Sequence, residues 1–310
     1  MKKTVLLLLP LLLGCGGQSS SSSGLSGSSS SSSSSSQDDG IPNMAQVILM
    51  FGQSNMEGHT YSQYLLNTMG EEKAKEYVNG YEDVLISYSC TVDANTSNGE
   101  FVPVKTGQGY GLERFGPEVG MAETLSSAEL EAPVFLIKFA QGATSLLRSW
   151  RSPSSGLTGG LYTMAVEYVN SALSKLEDMG YYPEVKCICW MQGEDDSNSG
   201  QADEYFDLEK NFIKDLREEF SYYMDPDGIG FIDAGISDCL EWKEYKAINE
   251  GKMQVCALDP ELNIYIDTIG NGLKYNAEPP GMVDVYHFDS SSMIELGHLF
   301  AEAALANFLD

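Results

Sequence analysis

The sequence predicts an α/β fold, a three-layer α/β/α sandwich around a central parallel sheet. Three observations predict it. Short apolar runs of strand length alternate with amphipathic stretches of helical spacing along a single chain. The runs are apolar at nearly every position, as strands covered on both faces are. The polar residues able to do chemistry stand directly after those runs, where open α/β sheets bind their ligands.

The elements follow in order. Residues 45–51 (AQVILMF) form the first run, 133–140 (PVFLIKFA) the second and 185–191 (VKCICWM) the third. Residues 228–234 and 262–267 (LNIYID) form a weaker fourth and fifth. Between them, 161–178 carries Leu161, Ala165, Tyr168, Val169, Ala172, Leu173 and Leu176 on one helical face. Residues 202–220 and 242–258 have a similar pattern. The last helix is expected over 293–308, with Ser292 as cap and Glu295 three residues later as its capping-box partner. Two insert-like stretches, 81–110 and 275–282, are expected to shape specificity.

The first 40 of the 310 residues are not part of this domain. Lys2 and Lys3 precede a short apolar run that ends at Leu12-Leu13-Gly14-Cys15. The run is too short to span a bilayer, which takes ~20 residues, and has the layout of an export signal. Its end resembles a bacterial lipobox, which implies that Cys15 becomes the lipidated first residue of the mature protein. An ordinary cleaved signal with Cys15 incidental is the alternative. Residues 16–40, mostly serine, cannot bury enough apolar surface to offset the entropy of ordering. They are expected to act as a tether spanning ~25–30 Å. The protein is thus expected in a bacterial cell envelope, meeting a membrane through its lipid anchor only. Residues 41–310 suffice for one domain with a sizeable core.

The formal net charge is −27. Such a surface repels phosphate backbones, so nucleic acid is not an expected partner. Neutral or weakly charged polymers fit better than polyanions. Beyond Cys15, five cysteines remain: Cys90, Cys187, Cys189, Cys239 and Cys256. An odd set cannot pair completely, and Cys187 and Cys189 share one face of a strand. Buried free thiols are expected. No C-x-x-C occurs, so the sequence offers no zinc or redox motif.

The chemistry gathers at four places. Gly52-Gln53-Ser54-Asn55-Met56 follows the first run. Gln141-Gly142-Ala143-Thr144-Ser145 follows the second, and Trp190-Met191-Gln192-Gly193-Glu194-Asp195 the third. Asp284-Val285-Tyr286-His287 precedes the last helix. Together they supply what acyl transfer needs: a nucleophile, a base, a carboxylate to orient the base, and oxyanion donors. Of the three histidines, His287 has Asp284 in step behind it. His59 lacks such a partner and reads as local structure, and His298 falls within the last helix. Trp150 and Trp190 read as core. Met56 stands where a G-x-S-x-G elbow has its second glycine, which disfavours an α/β-hydrolase turn.

Taken in order, GQSNM, the Gly-Ala-Thr-Ser-Leu…Trp element, WMQGEDD and DVYHFD before the ELGHLFAEA helix resemble the SGNH-hydrolase superfamily. The likeness is to its sialate O-acetylesterase and family 6 carbohydrate-esterase branch, and it spans nearly all of the folded part. The resemblance implies a flavodoxin-like sandwich, no metal or other cofactor, and removal of O-acetyl groups from carbohydrate such as acetylated xylan. By position it implies Ser54 as nucleophile, His287 as base and Asp284 as its orienter. It implies oxyanion donors at Ser54, Gly142 and Gln192, with Glu194 and the Glu118 of Gly116-Pro117-Glu118 in support. Gln141 and Ala143 depart from the two glycines that the family often has there. Two other readings stay open: an esterase acting on a sialate, lipid or aryl ester, and a glycan-binding lipoprotein without catalysis.

Overall fold

The computed structural model describes residues 43–275 and 277–310. The export signal, Cys15 and the serine tract lie outside the described residues.

Six parallel strands form the sheet. They are β1 (Met44–Gly52), β2 (Tyr81–Cys90), β3 (Val134–Ala140), β4 (Tyr182–Met191), β5 (Gly230–Ala234) and β6 (Asn263–Ile266). Their spatial order is β2-β3-β1-β4-β5-β6, with two short antiparallel segments, Asn95–Thr96 and Val102–Val104, paired to β2. The most apolar run makes the central strand because it must be covered on every side: Ala45 and Val47 to Phe51 are fully buried.

The helices are α1 (Ser54–Glu57), α2 (Glu71–Asn79), α3 (Glu118–Ser126), α4 (Gly160–Asp178), α5 (Tyr205–Glu219), α6 (Tyr245–Cys256) and α7 (Ser290–Asn307). A further short helix spans Leu65–Met69. The expected α/β sandwich is present. Helix α4 packs on β1, β3 and β4, with α5 and α6 against each other, while α3 and α7 pair with one another. The α3–α7 crossing is close because Gly120 and Gly297 meet backbone: a Cβ on Gly120 would stand 2.1 Å from the Ile294 carbonyl oxygen. Trp150 and Trp190 are fully buried and meet Phe212 of α5.

Two expectations about elements change. The stretch read as insert-like over 81–110 begins with a strand of the central sheet, β2, which pairs with β3 from Leu85↔Phe135 to Cys90↔Ala140. Its exposed Glu82 and Asp83 hide the strand, and its buried Ser87 and Ser89 interrupt the apolar run. The cap of α7 is Asp289, not Ser292. The Asp289 carboxylate accepts the Ser292 N–H at 3.0 Å, while the Ser292 hydroxyl accepts the Lys274 N–H. Asp is as good a cap as Ser, and the three-residue offset puts Ser292 inside the first turn. All five expected thiols are free and buried.

The chain leaves β1 for β2 and β3 on one side, then crosses to β4, β5 and β6 on the other. The ends of β3, β1 and β4 therefore form the topological switch point, where such sheets bind ligands. They end level, because Gly52 pairs with Ala140 on one side and Met191 on the other. The Gln53 N–H donates to the Met191 carbonyl (3.0 Å) and the Gln141 N–H to the Gly52 carbonyl (3.2 Å). The loops carrying Ser54, Gly142 and Gln192 thus leave the sheet side by side.

Candidate active site

Position 52 admits only glycine. A Cβ there would lie 2.1 Å from the Met191 carbonyl oxygen. The tight turn lets the strand end at Gly52 and Ser54 open α1 two residues later. Ser54 borders a cavity of about 480 Å³, and so do Gly142, Ala143, Asp195 and His287.

His287 and Asp284 come from the loop before α7. Asp284 Oδ2 lies 2.7 Å from His287 Nδ1 and accepts its proton when the imidazole is the Nδ1–H tautomer, leaving Nε2 to act as base. Burial alone would raise the Asp284 carboxyl, but the hydrogen bond and charge of His287 hold it below the usual carboxylate range. The Asp284 carboxyl therefore stays ionised at neutral pH.

Asn55, beside Ser54, joins the two halves of the site. Its amide nitrogen donates to Glu194 Oε1 (2.8 Å) and to the Tyr286 carbonyl (3.4 Å), and its amide oxygen accepts the Phe288 N–H (3.1 Å). The residues on either side of His287 are thus clamped to the helix that carries Ser54. Glu194, fully buried, anchors that clamp through the Asn55 amide. Burial raises its carboxyl. Asn55 stands inside the GQSNM motif, but its partners lie more than 130 residues away, and local sequence carries no sign of them.

Glu118 is also buried and lies outside the cavity. It accepts the Gly116 N–H (2.9 Å) and pairs with Lys138 Nζ (2.9 Å). Lys138 in turn donates to the carbonyls of Glu57 (3.2 Å) and Gln108 (2.7 Å). Glu118 thus supports the end of α1 through a buried cation on β3.

Two expected oxyanion donors are placed differently. Gln192 does not border the cavity. Its amide nitrogen donates to the Thr144 carbonyl (3.0 Å) and to Asp196 Oδ2 (2.6 Å), which uses both amide protons, and its oxygen accepts from the Tyr205 hydroxyl (3.0 Å). Asp196 also accepts the N–H groups of Leu146 and Leu147 (2.8 and 2.9 Å). Gln192 therefore builds the loop after β3 from below. The Gly142 N–H does reach the cavity, but it donates to Glu57 Oε2 at 2.9 Å. Among the described residues, the backbone N–H groups of Ser54 and Ala143 have no protein acceptor.

Glu57 was not singled out in the sequence, and His59 read there as local structure. Both border the cavity. The Glu57 carboxylate receives His59 Nε2 (2.7 Å), the Thr91 hydroxyl and the Gly142 N–H. The His59 ring stacks on His287, with centroids 4.5 Å apart. Their only signal in sequence was a carboxylate and an imidazole three and five residues after Ser54.

Tyr110, Trp242 and Tyr286 give the cavity aromatic walls, and no lysine or arginine lines it among the described residues. Among these residues no cluster of His, Cys, Asp and Glu is arranged to hold a metal ion.

Comparison with known proteins agrees with the sequence resemblance. Residues 44–306 match the family model described as carbohydrate esterase, sialic acid-specific acetylesterase. No curated protein sequence matches. Among solved structures, a protein from Arabidopsis thaliana is 20% identical, with a TM-score of 0.56 over 86% of this chain and 99% of the other. NanS is 15% identical, with a TM-score of 0.57 over 86% and 98%. A carbohydrate acetylesterase from Xanthomonas citri is 14% identical, with a TM-score of 0.52 over 84% of this chain and 56% of its own. At these identities the structures speak for the fold, and the family follows from a match over most of the sequence: the chain belongs to the carbohydrate esterase family of sialic acid-specific acetylesterases.

Proposed function

We propose that the protein is a serine esterase that removes O-acetyl groups from a neutral glycan such as acetylated xylan. The observation that carries this reading is the Asp284–His287 pair at 2.7 Å, which shares one cavity with Ser54 at the switch point of the sheet. His287 takes the Ser54 proton as the hydroxyl attacks the acetyl carbonyl, and Asp284 stabilises the imidazolium. The backbone N–H groups of Ser54 and Ala143 receive the oxyanion, joined by Gly142 where Glu57 yields its N–H. The imidazolium then protonates the departing sugar oxygen. Water, activated by His287, releases acetate from Ser54 by the reverse steps.

A neutral sugar is favoured over a sialate by the walls. A sialate brings a carboxylate, and the cavity offers it Glu57 and Asp195 but no lysine or arginine. Pyranose faces suit Tyr110, Trp242 and Tyr286. The export signal and serine tract further suggest an enzyme tethered by lipid at Cys15 and sweeping nearby polymer. A Cys15→Ala variant that stays in the membrane fraction would contradict the anchor.

Covalent capture tests the site. A fluorophosphonate should label the wild-type protein once, at the peptide carrying Ser54, and should not label Ser54→Ala. Labelling elsewhere, or none in the folded wild type, would remove the nucleophile.

A further inference from the structure

Behind the Ser54–His287–Asp284 set stands a second imidazole–carboxylate pair that the reaction as written does not use. Glu57 is fully buried, yet three donors converge on it: His59, Thr91 and the Gly142 N–H. The chain distorts itself to supply one of them. Thr91, Val92 and Asp93 follow β2 with φ of 48°, 45° and 68°. Two of these residues are β-branched and adopt a left-handed conformation that side chains of that shape avoid. The run aims the Thr91 hydroxyl at Glu57. The pair is also tightly enclosed: a Cβ on Gly142 would meet Glu57 Oε2 at 3.0 Å and His59 Nε2 at 3.1 Å.

Glu57 fixes His59 through Nε2. The imidazole is then held face-on between two rings, Tyr110 on one side and His287 on the other. Both centroid separations are 4.5 Å, with interplanar angles of 28° and 23°. Asp284 grips His287 only at its Nδ1 edge, which leaves the ring free to rock about that bond. A flat neighbour on its face removes that freedom.

We propose that His59 is a positioning residue for the general base, in which its ring, backed by Tyr110 and anchored by Glu57, sets the plane of His287 and supports the cation formed there during acyl transfer. The inference rests on the esterase reading above. Burial and the neighbouring His287 hold His59 below the ordinary imidazole range, so it presents a neutral π-face to the imidazolium. The charged and titratable groups around the two rings are Asp284 and Tyr286 on the His287 loop, Glu278 just before that loop, Glu57 on α1, Tyr61, Glu194 and Asp195 after β4, Tyr110, and Arg114, which donates to the His59 carbonyl.

The test separates the ring from the hydrogen bond. His59→Gln keeps a donor for Glu57 but has no face to stack. His59→Phe keeps the face but has no donor. Turnover of an aryl acetate is measured for both full-length variants, with the ring-current displacement of the His287 Hε1 resonance as a readout independent of activity. His59→Gln should lose about 3- to 30-fold in kcat with KM within about threefold, move the acid limb of the kcat/KM profile to lower pH, and lose the displacement. His59→Phe should recover most of all three. If melting shows that His59→Phe does not fold, Tyr110→Leu at a half-exposed site replaces it, with a smaller kcat loss and a reduced displacement expected. Gln equal to or better than Phe in kcat, an unmoved displacement in Gln, or an unmoved Tyr110→Leu overturns the inference. A folded wild type without turnover refutes the esterase reading instead, while the resonance still reports whether the stack exists.

Discussion

Replacing Glu118 by Gln removes one charge from a site that water does not reach. Lys138 and Glu118 are both fully buried, with Nζ and Oε2 2.9 Å apart. In Glu118→Gln the side-chain shape survives, but one end of the amide must present N–H groups either to Lys138 or to the Gly116 N–H. Lys138 keeps two carbonyl acceptors, Glu57 and Gln108. It does not gain another counter-ion from Cys90, because burial pushes that thiol up to about 12. Removing one member of a buried pair costs about 3–5 kcal/mol, and the two surviving acceptors place this variant near the lower end. Against a total stability of about 5–15 kcal/mol, that is a large fraction. Urea unfolding at neutral pH, followed by circular dichroism, measures it. The double variant Lys138→Met/Glu118→Leu should recover more than half of the loss, because it leaves no unpaired charge behind. A single-variant cost under about 1 kcal/mol, or a double variant less stable than the single, would refute the reasoning.

Gln192→Ala should lower stability by about 1–3 kcal/mol, because Asp196 and the Thr144 carbonyl lose their donor. Its loss of turnover should stay well short of the ~10²–10³ that follows removal of an oxyanion donor. Asp284→Asn should lower kcat by about 10⁴ with the fold intact, read by aryl acetate turnover and melting, and a loss under tenfold would count against the orienting role. Buried Lys252 pairs with Asp233 and lies 3.5 Å from Glu209, and burial raises both carboxyls above the usual range. With raised folded values, the native state holds protons that the unfolded chain releases. The contribution of these two carboxyls to stability should therefore fall as pH rises from ~4, where unfolded carboxyls ionise, toward those raised values. Glu209→Gln should flatten that slope in melting scans, and at pH 8 it should be neutral or stabilising; a cost above about 2 kcal/mol there would show that Glu209 is an ionised partner of Lys252.

Much of the fold was legible because parallel strands advertise themselves. The runs that became β1, β3 and β4 are apolar at nearly every position, and the chemical residues at their ends lie together because those three strands end level. β2 was not legible, since its first half carries exposed acids and its buried serines are satisfied by distant groups, such as Ser87 by the Tyr168 hydroxyl at 2.8 Å. The Asp284–His287 pair was legible because both partners sit three residues apart on one loop. Gln192 was misassigned for the opposite reason. Whether an amide faces a cavity or a buried carboxylate depends on what folds against it, and Asp196, Thr144 and Tyr205 arrive from three different segments. His59 shows the same limit: its anchor is local, but the rings that give it a role come from residues 110 and 287.

The central claim is that Ser54 drives release of acetate from a neutral acetylated glycan. Acetate release by the full-length protein and by Ser54→Ala, from acetylated xylan and from an O-acetylated sialic acid, tests it directly. Release from xylan should exceed release from the sialate and disappear in the variant. Release that persists in Ser54→Ala, or none from either substrate by the folded wild type, would contradict it.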